Sequence, residues 1–184
     1  MIDVNVTKEV EVSNSIRCQQ LSAMFDVPPQ EKCALTWKGQ IPIDEKEWQV
    51  GLIVGPSGSG KSTIGREVFG DNYHVDVKWD AKSVIDDFLS ELSIKDIAYA
   101  CSAVGFNTVP AWLRPYNVLS TGEKFRVDIA RRLLECADPV VIDEFTSVVD
   151  RQVAKIGAHA VHPLVRRNNR QFVAISCHYD IIDW

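Results

Sequence analysis

The sequence predicts an α/β fold in which a mostly parallel sheet is flanked by helices and preceded by an antiparallel β subdomain. Apolar and polar residues alternate along parts of the first 48 residues, as in half-buried strands. From residue 49, short apolar runs alternate with segments of helical periodicity, an order typical of a parallel sheet. The whole chain, 1–184, is predicted to be one domain, with 1–48 as the mainly β subdomain, 49–80 and 137–184 as the core, and 81–136 as a reduced helical region.

Two strands are predicted in the β subdomain. Their apolar side chains recur at period two, at Val4, Val6, Val10 and Val12 in the first strand and at Leu35, Trp37 and Ile41 within 34–43 in the second. Between them, Val27 is followed by Pro28-Pro29, which breaks any strand pattern at that point.

The core begins with an apolar run at 49–54, typical of a strand covered on both faces. Helices are predicted over 62–69, 81–92, 93–104, 123–136 and 150–161, and strands over 73–79, 139–143 and 172–176. Ser93 is the expected N-cap of the third helix in that series. The helix over 81–92 rests on an apolar stripe of Val84, Ile85, Phe88, Leu89 and Leu92.

Composition excludes several classes of protein. The chain is 46% apolar and 24% charged, and its net charge of −5 gives no overall basic field for nucleic acid or an anionic membrane. Its five cysteines are odd in number and far apart, which indicates a reduced intracellular protein. The first residues are polar, unlike a signal peptide, and the longest charge-free run, 97–113, is too short and broken to span a bilayer. We therefore expect a soluble, cytoplasmic protein with no direct membrane insertion.

A glycine-rich turn carries the strongest chemical signal in the chain. It fits G-x-x-x-x-G-K-[ST] and falls between a predicted strand and a predicted helix, so a chance glycine-rich turn is the weaker reading. Its glycines let successive backbone N–H groups point at phosphate oxygens, and the next helix adds its positive N-terminal end. Lys61 would bridge the terminal phosphates, and the Ser62 hydroxyl would ligate Mg²⁺. The nucleotide-binding residues predicted here are Gly55, Pro56, Ser57, Gly58, Ser59, Gly60, Lys61, Ser62 and Thr63.

A second signal is the carboxylate pair that closes the strand over 139–143. Asp143 could hold Mg²⁺ opposite the glycine-rich turn, and Glu144 could polarise an attacking water as a general base. Strand ends often carry Asp, so the pair alone is a weak signal, and the glycine-rich turn that begins at Gly55 is what favours its functional interpretation.

The third signal is the segment Leu119-Ser-Thr-Gly-Glu-Lys124. Ser120 and Glu123 are spaced as a capping box that opens the following helix. The same geometry presents a hydroxyl, the N–H of Gly122 and a helix N-terminus to solvent, which makes an anion site. We expect both readings to hold.

These motifs, taken in order, resemble the ABC ATPase superfamily. The glycine-rich turn matches Walker A, 119–123 the signature, 139–144 Walker B, and Ser147-Val-Val-Asp150 the D-loop, while His178 matches the switch histidine. The resemblance implies a P-loop NTPase that binds Mg·ATP between two copies of itself. Ser120, Gly122 and Glu123 would complete the partner's site, with Asp150 at the interface.

The resemblance also implies roles for His178 and for one aromatic side chain. His178 would sense or stabilise the γ-phosphate. An aromatic of the N-terminal β region would stack on adenine. Phe25 is the candidate, Trp37 and Trp48 are alternatives, and a core role is equally open for each of them.

The chain departs from ABC transporters between Lys61 and Ser120. That interval is short and contains no glutamine, so another group must complete the metal or water site, with Asp80 as a candidate oxygen ligand. Thr121 and Glu123 also differ from the transporter signature. The S-x-G-E-K form looks like soluble ABC ATPases of chromosome maintenance and repair, and the whole pattern like a compact bacterial and phage group.

The expected function is ATP hydrolysis, or an ATP-driven dimerisation switch, that drives an unidentified protein partner or fused domain. The alternatives are a DNA-transaction ATPase, the energising subunit of an ABC transporter, and a binding module that does not hydrolyse ATP. The basic cluster Arg166, Arg167 and Arg170 gives nucleic-acid contact only weak support.

Overall fold

The computed structural model describes residues 1–28, 30–45 and 47–184. The second proline of the Pro28-Pro29 pair therefore lies outside the described residues. The chain divides into two compact units, which we call the N-terminal unit (1–45) and the C-terminal unit (46–184). The predicted division into a β subdomain, a core and a helical region stays a prediction.

The N-terminal unit is a β-hairpin whose connection contains a helix. Strand β1 (Ile2–Glu11) pairs antiparallel with β2 (Lys32–Ile41), which confirms the two predicted strands. Helix α1 (Ile16–Met24) between them was not predicted. None of its nine residues, all of which the structure describes, is buried, so it has no apolar stripe to reveal it. Its local signal is the N-cap Ser15, whose hydroxyl accepts the N–H of Cys18.

The C-terminal unit is built on a parallel sheet, as predicted. Strands β3 (Val50–Val54), β4 (Val140–Ile142) and β5 (Phe172–Ser176) lie in the order β3-β5-β4. Because the strands are parallel, their carboxyl ends meet at one edge of the sheet, and the three loops that follow them begin there. This edge contains the glycine-rich turn, the Asp143-Glu144 pair and His178.

The helices of the C-terminal unit are α2 (Lys61–Phe69), α3 (Ile94–Ala103), α4 (Val109–Trp112), α5 (Thr121–Glu135) and α6 (Arg151–Arg167). Four of them confirm predicted helices, while α4 was not predicted. Helix α3 begins after the predicted N-cap Ser93, whose hydroxyl accepts the N–H of Asp96. Helix α6 continues past the predicted end at Val161 and through Pro163. Short 3₁₀ turns occupy Gly70–Asn72, Ile85–Asp87, Tyr116–Val118 and Tyr179–Asp183.

Helices cover both faces of the sheet. The larger core joins α3, α5 and α6 to one face, and its largest fully buried side chains include Phe106, Ile129, Leu133, Phe145 and Phe172. On the other face, Val141, Val173 and Ile175 pack with Phe69 and Tyr73 around α2. None of the helices in residues 1–28, 30–45 and 47–184 has the length and apolar composition that a membrane span requires.

The strand predicted over 73–79 is wrong. Tyr73 forms an isolated bridge with Val141, but the segment then leaves the sheet. Its backbone carbonyls are bound by arginines of α5: Arg131 donates to the carbonyl of Lys78, and Arg132 to that of Val75. These bonds take the place of a strand ladder.

The helix predicted over 81–92 is also wrong. Within this fully described segment, the helical structure is the 3₁₀ turn Ile85–Asp87. The Asp87 carboxylate accepts the N–H groups of Asp80 and Ala81, and Glu135 of α5 accepts the N–H of Leu89. A side chain therefore satisfies the N–H of Leu89, which a helix would have paired with the carbonyl of Ile85.

The prediction that 49–54 is covered on both faces is only partly right. Strand β3 lies at the edge of the three-stranded sheet, with β5 as its partner. Val50 is 49% exposed and Leu52 is 38% exposed, so one face of the strand remains open.

Candidate active site

The glycine-rich turn forms a tight loop between β3 and α2. The N–H of Ser59 donates to the carbonyl of Pro56 at 3.2 Å, and Gly58 and Gly60 have left-handed φ angles of 77° and 88°. A side chain at these two positions would be strained. The Nζ of Lys61 donates to the carbonyl of Pro56 at 2.9 Å, so the ammonium lies over the loop. The loop and the first turn of α2 therefore combine backbone N–H groups with a positive charge, as an anion site requires.

The other members of the predicted phosphate loop lie in the same turn and at the start of α2. Gly55 is buried, and its N–H donates to the carbonyl of Ser176 at 3.4 Å, which ties the loop to the end of β5. Residues 56–58 form the exposed tip, and Thr63 is half-buried in the first turn of α2.

Ser62 and Asp143, predicted separately as metal ligands, are brought together. Ser62 lies close enough to the Asp143 carboxylate for its hydroxyl to interact with it. Burial would raise the pKa of Asp143, but hydrogen bonds from Tyr73, Ser62 and the N–H of Glu144 outweigh it and hold the pKa below its ordinary value. Asp143 is thus an ionised, half-buried carboxylate beside a hydroxyl. This pair of oxygens suits a hard divalent cation.

Tyr73 and His74 also belong to this cluster, and the sequence analysis missed both. The Tyr73 hydroxyl donates to the Asp143 carboxylate, and Ser62 lies close to it. The N–H of Asp143 donates to Nδ1 of His74 at 3.1 Å. The sequence analysis proposed Asp80 as the extra ligand, but the structure places Tyr73 beside Ser62 and Asp143.

Tyr73 and His74 carried no signal that sequence reasoning could use. They were assigned to the interior of a strand, and the bridge between Tyr73 and Val141 is what brings them to the end of β4. Burial, followed by the hydrogen bond to Asp143, raises the pKa of the Tyr73 hydroxyl, so it stays protonated as a donor.

Glu144 follows Asp143 at the start of a tight turn. Its side chain is exposed, its φ is 54°, and its N–H donates to Oδ1 of Asp143 at 2.9 Å. A left-handed φ is uncommon for a residue with a side chain, and strained residues of this kind cluster at active sites and tight turns. The turn presents the Glu144 carboxylate to solvent beside the metal-ligand pair.

The capping box at Ser120 and Glu123 is confirmed. The N–H and hydroxyl of Ser120 donate to Oε2 of Glu123 at 2.9 and 2.7 Å, and the N–H of Glu123 donates back to the Ser120 hydroxyl at 3.3 Å. Hydrogen bonding to the Ser120 hydroxyl is the main cause that lowers the pKa of Glu123. Ser120 is exposed, and a Cβ added at Gly122 would lie 3.5 Å from Val153 of α6.

Asp150 lies at the end of the segment after β4, and His178 lies just after β5, each in the segment in which it was predicted. Asp150 is the N-cap of α6, and Oδ1 accepts the N–H groups of Gln152 and Val153. His178 is half-buried, and its N–H donates to the hydroxyl of Ser176 at 3.1 Å. Their roles toward a nucleotide stay predictions.

The three aromatic candidates for adenine stacking belong to two different units of the chain. Phe25 is 67% exposed just after α1, and Trp37 is a half-buried residue of β2, both within the N-terminal unit. Trp48 belongs to the C-terminal unit, where it packs against Gly51 of β3. A core role suits Trp48, and stacking by Phe25 stays a prediction.

The basic cluster at the end of α6 is largely used within the protein. Arg170 donates to Asp138 at 2.7 Å and to two carbonyl oxygens at the end of α5. Arg167 lies 3.7 Å from the centre of the Tyr99 ring and 3.8 Å from Asp96. These contacts give nucleic-acid binding no support.

The parallel sheet, the phosphate loop after β3 and the carboxylate after β4 define a P-loop domain of the α/β class. The chain is similar to an ATP-dependent lipid A-core flippase of Shewanella frigidimarina, at 29% identity over 83% of the chain. It is also similar to a vitamin B12 import ATP-binding protein, BtuD, of Vibrio atlanticus, at 41% identity over 34% of the chain. It spans 32% and 25% of the length of these two relatives.

A bacterial Atm1-family ABC exporter with ATP bound shares the fold. The TM-score is 0.57 at 19% identity, over 80% of the chain and 32% of the exporter chain. No protein-family model matches the sequence. With the ordered motifs and the sheet described above, these likenesses show that the chain is similar to nucleotide-binding domains of the ABC ATPase type. Its place in a compact bacterial and phage group stays a prediction.

Proposed function

We propose that this domain binds Mg·ATP, encloses it between two copies of the chain, and hydrolyses it to drive a protein partner. The observation that carries the proposal is the cluster at the end of β4, where the Asp143 carboxylate accepts the Tyr73 hydroxyl and has Ser62 beside it, next to the loop that holds Lys61. Two motifs about 80 residues apart in sequence thereby form a single cluster of metal-compatible oxygens next to a phosphate-sized loop.

Mg²⁺ fits the residues of this cluster. Ser62 offers a hydroxyl and Asp143 an ionised carboxylate, and Mg²⁺ prefers oxygen ligands of this kind. When bound, the ion neutralises charge on the β- and γ-phosphates. Tyr73 would keep the Asp143 carboxylate oriented, directly or across a water, which gives it the place that the sequence analysis assigned to Asp80.

Lys61 and the N-terminus of α2 would hold the phosphates. The Lys61 ammonium would exchange the Pro56 carbonyl for a terminal phosphate oxygen, because an anion is the stronger partner for a cation. The N–H groups of the first turn of α2 would add partial positive charge at the same point.

Glu144 would act as the general base of hydrolysis. Its exposed carboxylate would accept a proton from the attacking water as the water oxygen bonds to the γ-phosphorus, and the bond to the ADP oxygen breaks. His178, on the loop after the neighbouring strand β5, would contact the γ-phosphate. Ser120, Gly122 and Glu123 of the second copy would close the site, with Asp150 at the interface.

The Glu144→Gln variant tests this proposal. Removing the base should lower turnover by about 10²- to 10⁴-fold while leaving the phosphate and metal ligands intact. ATP should still bind, measured by calorimetry, and the protein should accumulate as a dimer in gel filtration with Mg·ATP. Glu91→Gln, at an exposed glutamate of the 81–92 segment, is the control and should behave as the wild type. A Glu144→Gln protein that stays monomeric at saturating Mg·ATP would show that the two-copy mechanism is wrong.

A transporter-energising role is the second candidate for this domain. It is favoured by the names of both relatives, one a flippase and the other an import protein. It predicts that a membrane protein encoded beside this chain copurifies with it from detergent extracts and raises its ATP turnover. If the membrane protein neither copurifies nor raises turnover while the domain still hydrolyses ATP, the transporter role is wrong. The dimerisation switch would then act on a soluble partner or a fused domain.

A further inference from the structure

Arg151 connects the loop after β4 to the loop after β5 through several contacts of one side chain. It is the first residue of α6, directly after Asp150. Its Nε and Nη2 donate to the two carboxylate oxygens of Asp180 at 2.9 and 2.5 Å. Its Nη1 donates to the hydroxyl of Thr146 at 3.2 Å, and the guanidinium lies 4.8 Å from the centre of the Trp184 ring.

The groups held by Arg151 flank residues of the proposed active site. Thr146 is buried, has a φ of 72°, and lies two residues after Glu144 in the same turn. Asp180 lies two residues after His178, at the start of the 3₁₀ turn Tyr179–Asp183. The hydrogen bonds from Arg151 lower the pKa of the Asp180 carboxyl. Arg151 therefore joins the segment that carries His178 and Asp180 to the turn that carries Glu144 and Thr146.

We propose that Arg151 and Asp180 form a clamp that positions His178 relative to the Glu144 turn. Neither residue is assigned a role by the motifs or by the relatives. The inference rests on the proposed function for its catalytic consequence, but the clamp itself is a property of the protein without nucleotide. Arg151 and Asp180 are positioning residues, since neither belongs to the predicted phosphate or metal ligands.

The chemistry of the clamp requires arginine. The planar guanidinium reaches both oxygens of one carboxylate and still has a donor for Thr146, whereas the lysine ammonium acts as a point charge without this fork geometry. The side chains of Arg151 and Asp180 are 38% and 47% exposed. Exposed ion pairs add little to global stability. A purely structural pair would thus have almost no measurable effect, while a positioning pair alters the order of residues 177–184 and the rate of hydrolysis.

The test uses Arg151→Lys, Asp180→Asn and the double variant, with Arg167→Lys as the matched control. Arg167 is at the other end of α6 and makes the same kinds of contact, an ion pair with Asp96 and a ring contact with Tyr99. Hydrogen exchange of residues 177–184 is measured by mass spectrometry without nucleotide. In the same proteins, kcat and KM for ATP are measured separately.

Both single variants should raise the exchange rate of 177–184 by about tenfold and lower kcat by about tenfold, the lower end of the loss typical for an outer-shell partner. KM should stay within about twofold, since the phosphate ligands are untouched. The double variant should be no worse than either single one, because one interaction is lost in all three. Arg167→Lys should change neither exchange of 177–184 nor kcat.

Unchanged exchange of 177–184 in Arg151→Lys would overturn the clamp. Faster exchange with unchanged kcat would show that the clamp does not position His178 for hydrolysis. Additive effects in the double variant would show that Arg151 and Asp180 act separately. If the wild type has no ATP turnover, the proposed function fails, and the exchange rates without nucleotide still decide whether the clamp exists.

Discussion

Gly65 of α2 is the position where a single methyl group should report on the packing under the active site. A Cβ added there would lie 2.5 Å from Cδ1 of Ile175 and 2.9 Å from Cε2 of Tyr73. Ile175 is fully buried in the middle strand, so it has little room to move. Overpacking of this kind costs about 1–3 kcal/mol. The better helix propensity of alanine returns about 1 kcal/mol. We therefore expect Gly65→Ala to lower the free energy of unfolding by about 1 kcal/mol.

The same methyl group would push the Tyr73 ring, whose hydroxyl reaches Asp143 and Ser62. Gly65→Ala should therefore also weaken Mg·ATP binding. Gly157→Ala is the matched control, since its Cβ would lie 2.6 Å from Cε1 of Phe125 in the α5–α6 contact.

Urea unfolding followed by circular dichroism gives the stability of both variants, and calorimetry gives their affinity for Mg·ATP. Both variants should lose stability, and each kcal/mol lost corresponds to a decrease of about 2–4 °C in Tm. Only Gly65→Ala should also lose affinity for Mg·ATP. A Gly65→Ala protein that gains about 1 kcal/mol would show that propensity acts unopposed and that α2 is not packed tightly on the sheet.

Three further variants test individual groups. Burial lowers the pKa of His74 below its ordinary value of 6.5, so the unfolded chain binds more protons than the folded one as the pH falls below that value. Stability should therefore decline from about pH 6.5 downward, and His74→Gln should flatten that decline in urea midpoints, whereas the exposed His162→Gln should not. Tyr73→Phe keeps the ring but removes the hydroxyl, and should weaken Mg²⁺ binding about tenfold in calorimetry without loss of stability. An unchanged Mg²⁺ affinity would show that Tyr73 does not belong to the metal site. Ser120→Ala and Ser93→Ala each delete an N-cap and should cost about 1 kcal/mol, but only Ser120→Ala should also reduce ATP-dependent dimerisation.

The elements that the sequence predicted well are those whose signal is local. The N-cap at Ser93 and the capping box at Ser120 fix where α3 and α5 begin, and the apolar run over 172–176 is strand β5 without a change of bounds. The failures over 73–79 and 81–92 have one cause. Side chains of α5, including Arg132 and Glu135, bind backbone groups some 45 to 57 residues earlier in the chain. No window of the sequence contains both partners, so periodicity cannot anticipate the result.

In the candidate site too, the residues with a local sequence signal were predictable and those placed by contacts distant in sequence were not. The phosphate loop and the carboxylate pair lie within short motifs, so their residues could be named from spacing alone. Tyr73 could not, because its approach to Asp143 depends on the bridge to Val141, 68 residues further along the chain. The position of the Tyr73 phenol beside Asp143 is therefore visible only in the fold.

The strand order explains how nucleotide binding at one loop could affect the other loops of the site. Strand β5 lies between the two strands that carry the phosphate loop and Asp143. The N–H of Gly55 bonds to the carbonyl of Ser176, and the N–H of Phe145 bonds to that of Ile175 at 2.9 Å, so both neighbouring loops are attached to the end of β5. The clamp of Arg151 and Asp180 adds a second connection, from the loop after β5 to the turn after β4. A γ-phosphate that binds His178 would then act on the end of β5, and this end is bonded to both the phosphate loop and the Glu144 turn. Loss of the phosphate would release all three loops together, which is the behaviour that a dimerisation switch needs.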